Sequence, residues 1–432
     1  MRGGKEGGST GEPAAPRTLR IVIWHGYLLD GTGSNVYTRA LAREYARAGH
    51  DVIVVCQDPA PARYDLGGAR VVRPELPDRL LPVFVLDRYD DLEPRLLQQL
   101  TADERERYVA ANADALRPLL PADALLTNHV LLGAPVGAAT GHPFVVKAHG
   151  SELEFSMRGN EELVRWARST LTEAGAVLVG SAHIRGVLDD VVGHVERVRE
   201  IPPGVDVDEF RPRARGEALA ALLAEARSDP PNPGNRRERL PDEHNAERLV
   251  EFLREDAPTV VYVGKLSNEK GVHVLLDAMR AIEGRLVVVG FGPARAELER
   301  AAPADSLFTG PLEHRHLVQL LPLADLGVVP SIFPEAFGMV AAEMAASGCP
   351  PVVARHSGLA EVAEGLEEKY PPEARYLASF PSGDAAALRG RIEELLALPP
   401  VDRLALGAAA RRAAVERWSW AGVGRRVLEA FH

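Results

Sequence analysis

LRIVIWHGYLLDGTGSNVYTRALAREYARAGHDVIVVC, residues 19–56, decides the fold class of this chain. Residues 19–24 form an apolar, β-branched run of strand length. The turn Asp30-Gly31-Thr32-Gly33 follows. Val36, Tyr37, Ala40, Leu41, Tyr45 and Ala48 then recur at helical spacing. Gly49 stands where a helix ends, because glycine enters the left-handed region without a Cβ penalty. Residues 52–56 are a second apolar run. A strand, a glycine-containing turn, an amphipathic helix and another strand make a βαβ unit, which implies a parallel sheet.

The same grammar continues outward. Strands are expected at 124–126, 144–148 and 177–179. It restarts in the second half, with strands at 260–263, 285–289, 326–329 and 352–354 and a helix around 272–281. The chain of 432 residues thus reads as two α/β domains. Between the halves, residues 213–258 hold two helical stretches, 217–227 and 245–254, around a breaker-rich segment at 228–241. This reads as an insertion near a domain boundary. Residues 1–16 are rich in Gly, Ser, Pro and charge and read as a disordered tail outside the fold.

Composition narrows the function. Apolar residues make up 46% and charged residues 26%, an ordinary globular mixture. The net charge of −11 argues against nucleic-acid binding, which needs a basic surface. The two cysteines, Cys56 and Cys349, show neither metal spacing nor a disulfide framework. No apolar run approaches the roughly 20 residues that span a bilayer. The expectation is a cytoplasmic protein, soluble or peripheral at the inner face of the membrane.

Four features carry chemistry. Gly31 and Gly33 open a helix, where backbone N–H groups can meet a phosphate. The third glycine of a dinucleotide fingerprint is missing, since that position is Val36. The pair Gly290 and Gly292 fails likewise at Arg295, so hydride transfer is disfavoured. Next, Glu335 follows Pro334 in a loop, while Glu343 falls in the second turn of a helix beginning near Phe337 or Gly338. The two acids can be a cap and a solvated side chain, or a clamp for hydroxyls with a phosphate between them. Lys265 and Lys270 flank a turn after a strand. They are either surface lysines or the counter-charge for a diphosphate. His149 ends a strand at the carboxyl edge of the sheet, where α/β folds hold ligands. It is either structural or a donor to a sugar hydroxyl.

The motifs together settle what each leaves open. Gly31-Thr32-Gly33, Ala148-His149-Gly150, the run IPPGVDVDEFRP at 201–212, Gly264-Lys265 with Lys270-Gly271, Gly290-Phe291-Gly292-Pro293, and Glu335-Ala336-Phe337-Gly338 with Glu343 occur in order from about residue 19 onward. In this the chain resembles a family 4 glycosyltransferase of the retaining GT-B type. The resemblance implies two Rossmann-like domains with parallel sheets facing a central cleft. These would be an acceptor domain at 17–205 and a nucleotide-sugar donor domain at 206–416. A last helix, at 417–432, would cross back to the first.

By the same resemblance, Glu343 binds ribose hydroxyls and Glu335 the transferred sugar. Lys265 and Lys270 hold the diphosphate, and Gly33 approaches it from the other domain. His149 lies beside the sugar, and the base sits near Gly310 and Leu312. Gly264, Gly290, Phe337, Gly338, Met339 and Val340 complete the donor set. No metal or other cofactor is implied. The acceptor would be a small molecule, a glycan or a lipid-linked hydroxyl. The family usually has Arg where this chain has Lys265, and Lys cannot make Arg's two-pronged contact. A GT-B epimerase and a non-catalytic nucleotide-sugar binding protein share these residues and stand as the rival readings.

Overall fold

A computed structural model describes residues 17–86, 89, 91–233, 237–254 and 257–432. The expected tail at 1–16 lies outside the described residues. The first half contains β1 (Arg20–Trp24), β2 (Asp51–Val55), β3 (Arg70–Val72), β4 (Leu80–Val83), β5 (Glu93–Leu96), β6 (Ala124–Asn128), β7 (Val145–Lys147), β8 (Ala176–Val179) and β9 (Val198–Glu200). The second half contains β10 (Thr259–Val263), β11 (Arg285–Val289), β12 (Ser306–Phe308), β13 (Leu326–Val329), β14 (Pro351–Ala354) and β15 (Ser379–Phe380).

Seven strands form one parallel sheet in the order β3-β2-β1-β6-β7-β8-β9. Six form a second, in the order β12-β11-β10-β13-β14-β15. Helices cover both faces, so the central strands read as continuous apolar runs; Ile21 to Trp24 and Val260 to Tyr262 are all buried. The strands absent from the sequence expectation are β3, β9, β12 and β15 in the two sheets, and the pair β4 and β5 beside the first. Each has two to four residues and includes a charged residue, Ser or Pro, so none stands out as a continuous apolar run.

Each sheet reverses its strand order once, between β1 and β6 in the first and between β10 and β13 in the second. Loops leaving the carboxyl ends of such neighbours diverge and open a crevice, the usual ligand position in open α/β sheets. Those ends carry His25, Asn128 and His129 on one side, and Gly264, Lys265 and the 330–335 loop on the other.

The segment at 213–258 is more than an insertion. Its helices, Arg215–Arg227 and Asn245–Leu253, bury Ala218, Leu222, Leu249 and Leu253 in the core of the second sheet. Residues 234–236 and 255–256 of that segment lie outside the described residues. The last helix, Trp420–Glu429, packs on Gly33–Arg47 of the first half, where the Tyr45 hydroxyl donates to the Gly424 carbonyl at 2.8 Å. Trp420 lies over Gly204, where a Cβ would meet the indole at 2.4 Å. This contact ties the chain's end to the first sheet.

Candidate active site

A cavity of about 900 Å³ separates the two sheets at these carboxyl ends. Residues of both halves line it. The halves also touch directly, through the Ser181 hydroxyl, which donates to the Ala336 carbonyl at 2.7 Å.

On the second-sheet side, the chain leaves β13 into the loop that ends at Glu335. A relay of hydrogen bonds holds this loop. His356 Nε2 lies 2.6 Å from the Ser331 carbonyl and its Nδ1 lies 3.0 Å from Ser357 Oγ. Ser357 Oγ accepts the Glu335 backbone N–H at 2.9 Å. One tautomer satisfies every link: Nε2–H donates, and Nδ1 accepts the serine proton. Gly358 packs against this loop so closely that a Cβ would meet the Ala336 carbonyl oxygen at 2.6 Å. The Glu335 carboxylate points back to the Lys270 ammonium, at 2.5 Å.

The Met339–Ala346 helix starts at Gly338, whose φ of +125° suits glycine alone. Phe337, Gly338, Met339 and Val340 line the cavity. The first-turn N–H groups of a helix have no acceptor within it, so they present positive potential to the cavity. Lys265 and Lys270 flank the same space. The Tyr262 hydroxyl donates to the Lys265 carbonyl at 2.9 Å, which anchors the lysine's backbone. Two ammoniums and a helix N-terminus converge here, an arrangement suited to an anion.

On the first-sheet side, Gly31 and Gly33 line the cavity, and nothing lies within 4 Å of where a Cβ on Gly33 would stand. His149 follows β7. Its Nε2 is 2.7 Å from Asn128 Oδ1, and its backbone N–H donates to Glu152 at 3.0 Å. Burial, with His129 and Lys147 nearby, holds its imidazole well below the usual range, so His149 is neutral. Lys147 is buried and donates to the Ile201 carbonyl at 2.9 Å. Burial lowers its ammonium to about 7. Glu152 is fully buried between His149 and His129. Burial pushes its carboxyl up, but the attraction of His129 and its hydrogen bonds win and hold it low.

Of the residues singled out from sequence, Gly31, Gly33, His149, Gly264, Lys265, Lys270, Glu335, Phe337, Gly338, Met339 and Val340 meet in this cavity. Gly290, Gly310, Leu312 and Glu343 are not among its lining residues. The first two have packing reasons. A Cβ on Gly290 would meet the Gly264 carbonyl oxygen at 1.8 Å, and one on Gly310 would meet Asp242 at 2.6 Å. Leu312 is buried in the core of the second half. Glu343 is half-buried in the second turn of its helix, and burial raises its carboxyl to about 7 despite His314 nearby. Sequence reasoning missed His129, Asn128, Tyr27 and Phe84. The strand ending in Asn128 was visible, but its place beside β1 was not.

Among the described residues, no group of three His, Cys, Asp or Glu could hold a metal ion, and no helix is long and apolar enough to cross a membrane.

Two family models match the chain. Residues 32–204 match "Glycosyl transferase 4-like domain" and residues 257–397 match "Glycosyl transferases group 1". A GDP-mannose-dependent alpha-(1-6)-phosphatidylinositol dimannoside mannosyltransferase of Mycobacterium tuberculosis is 43% identical over 112 residues, 24% of this chain and 29% of that protein. The match therefore spans under a third of that relative's length. A D-inositol 3-phosphate glycosyltransferase of Acidothermus cellulolyticus is 27% identical over 81% of this chain and 78% of its own length. An MMP alpha-(1->4)-mannosyltransferase of Mycolicibacterium hassiacum is 26% identical over 92% and 94%. Among solved structures, Anabaena Alr3699/HepE in complex with UDP superposes with a TM-score of 0.66 at 16% identity, over 95% of this chain and 98% of that one. Sucrose-phosphate synthase from Thermosynechococcus elongatus gives 0.61 at 22%, over 94% and 97%. These likenesses establish the GT-B fold.

Proposed function

The chain belongs to the family 4 glycosyltransferases, and on that premise we propose that it moves a hexosyl group from a nucleotide-diphosphate sugar to an acceptor hydroxyl with retention of configuration. The observation that carries this reading is the convergence of Lys265, Lys270 and the helix start at Met339–Val340 on one cavity, with Glu335 beside them and Gly33 and His149 opposite. Such a cavity can neutralise a diphosphate and position a sugar at once.

In this proposal the acceptor oxygen bonds to the anomeric carbon on the face from which the diphosphate leaves. The bond between that carbon and the phosphate oxygen breaks, and the same oxygen takes the acceptor's proton. Lys265, Lys270 and the helix N–H groups stabilise the charge that develops on the leaving group. Glu335 accepts hydroxyls of the transferred sugar, and Glu343 accepts those of the ribose. The base sits against the backbone near Gly310 and Leu312. Neutral His149 donates to or accepts from a sugar hydroxyl without adding charge. The cationic side chains do the work of a metal. Relatives named for GDP-mannose and for inositol phosphate or phosphatidylinositol acceptors support a nucleotide sugar as donor and a small polyol or lipid-linked hydroxyl as acceptor. The expected location is the cytoplasm, with peripheral contact at the inner face of the membrane.

The test is to incubate the protein with UDP-, GDP- and ADP-sugars, with and without polyol acceptors, and to follow released nucleotide and the anomeric configuration of product. Acceptor-dependent release with an unchanged anomer is expected. Conversion of the donor without acceptor would instead identify an epimerase. Binding without any turnover would identify a binding protein.

A further inference from the structure

The two halves of the chain meet at a helix N-terminus. Ser181 follows β8 and caps the Ala182–Val192 helix of the first half, its Oγ accepting the Ile184 N–H at 3.2 Å. The hydroxyl keeps one proton to donate. That proton crosses to the second half, to the Ala336 carbonyl at 2.7 Å, and the serine is buried. Glu361 of the second half reaches the same helix end. Its carboxylate accepts the His183 N–H at 3.3 Å and the Ala182 N–H beside it. First-turn N–H groups have no acceptor inside their own helix, and a carboxylate complements the positive potential there.

These two contacts bracket the segment that presents Glu335. The Glu335 N–H donates to Ser357 Oγ at 2.9 Å, and the Glu335 carbonyl accepts the Gly358 N–H at 3.0 Å. Both backbone groups of Glu335 are thus held by the start of the Ser357–Glu367 helix. Ser357 has φ of +47°, a left-handed value in a residue that is not glycine. Such a backbone costs energy and persists only where its surroundings impose it. Glu361 lies one helical turn beyond Ser357, on the same face. One short helix therefore holds Glu335 at its start and the first half's helix end one turn later. Ser181 clasps the next residue, Ala336, from the other side of the boundary.

We propose that Ser181 and Glu361 are positioning residues for the transfer reaction: docking of the halves through them sets the 335–336 backbone and so aims the Glu335 carboxylate at the transferred sugar. This assignment rests on the glycosyl-transfer reading of the cleft. Neither residue lines the cavity. They act on Glu335 through Ser357, Gly358 and Ala336. Loosening them lets the carboxylate drift from the sugar, while Lys265, Lys270 and the helix N–H groups still meet the diphosphate. Recognition of the sugar and recognition of the diphosphate therefore separate. A contact that only held the halves together would weaken both alike.

The experiment joins hydrogen exchange read by mass spectrometry, which needs no ligand, to calorimetric binding. Ser181→Ala and Glu361→Ala are compared with the parent chain. Exchange in the peptide that holds Glu335 and Ala336 should speed up in both, although Ser357 is untouched. GDP-mannose, UDP-glucose and ADP-glucose are the sugar probes, and free GDP, UDP and ADP their controls. Affinity for the sugar probe that the parent binds should fall by roughly 10- to 100-fold, the scale of losing hydrogen bonds to a charged group. Affinity for the matching free nucleotide should stay at the parent's level. Ser181→Thr keeps the hydroxyl and should restore both readings. Glu361→Gln keeps an acceptor without the charge, should show a smaller change of the same kind, and carries the test if an alanine variant fails to fold. Parent-like exchange at Glu335 in the folded variants overturns the proposal, and so does equal weakening of sugar probe and free nucleotide. If the parent binds no nucleotide sugar while exchange at Glu335 still rises in the variants, the glycosyl-transfer reading fails and the mechanical link stands.

Discussion

The Lys270 ammonium lies 2.5 Å from the Glu335 carboxylate, across the cavity's second-sheet wall. Both side chains are partly exposed, so the pair itself adds little to stability, about 0–1 kcal/mol. Its place beside a helix N-terminus gives it another use. A diphosphate entering the cavity would compete with Glu335 for Lys270 and free the carboxylate to accept sugar hydroxyls. Lys270→Ala should therefore lower the transfer rate by roughly 10²–10³-fold, the scale of losing one charge-stabilising donor. Its melting temperature should stay near that of the parent chain. Turnover close to the parent's, measured under saturating donor, would refute the role.

Glu343 makes a pH prediction. Burial raises its carboxyl to about 7 in the folded chain, against about 4.3 when unfolded. Between those values the folded state holds the extra proton, so the group's contribution to stability is full below the lower value and is lost as pH rises to the upper one. Glu343→Gln, always neutral, should gain in melting temperature relative to the parent chain across this window. Donor affinity should run the other way. The ionised carboxylate is the better acceptor for ribose hydroxyls, so affinity should rise as pH passes about 7. Calorimetry from pH 5 to 8 reads both trends, and a flat donor affinity in the parent chain would reject the ribose assignment.

Glycine positions separate folding from binding. Gly290→Ala forces a Cβ onto the Gly264 carbonyl oxygen, with φ at +147°. It should destabilise the chain by roughly 3 kcal/mol or more, read as a clear drop in melting temperature. Gly33→Ala has open space around the new carbon and should melt like the parent. It should still weaken nucleotide-sugar binding, because its methyl projects where a phosphate approaches. Equal melting temperatures for the two variants would contradict the packing argument.

Charge on the departing diphosphate is assigned to Lys265, Lys270 and the helix start. EDTA should then leave the rate unchanged, and added Mg²⁺ should not raise it. Loss of activity in chelator with rescue by Mg²⁺ would contradict that assignment.

The layered α/β architecture is legible in the amino-acid sequence, because strand and helix periods differ and β-branched runs alternate with amphipathic ones. The run from Leu19 to Cys56 already contains one complete unit of it. The sequence also located the Glu335 loop, since Pro334 bars helix there and Gly338 allows the sharp entry into the next one. Short strands that mix a charged residue or Ser with apolar ones, such as Arg70–Val72 and Ser306–Phe308, form no continuous apolar run and stayed hidden. The packing of Leu222 and Leu249 into the second core was hidden too, because burial depends on partners far along the chain.

Which groups share the cavity is a matter of how the strands are ordered in space. Lys270 and Glu335 are 65 residues apart and meet because β13 lies beside β10. His129 and Glu152, 23 apart, meet because β7 lies beside β6. Strand order is set by the summed packing of both faces of a sheet, a property of the whole chain rather than of any window in it. For that reason the acids and lysines of residues 265–343 could be singled out in advance, while Tyr27, Phe84 and His129 opposite them came into view only in the folded chain.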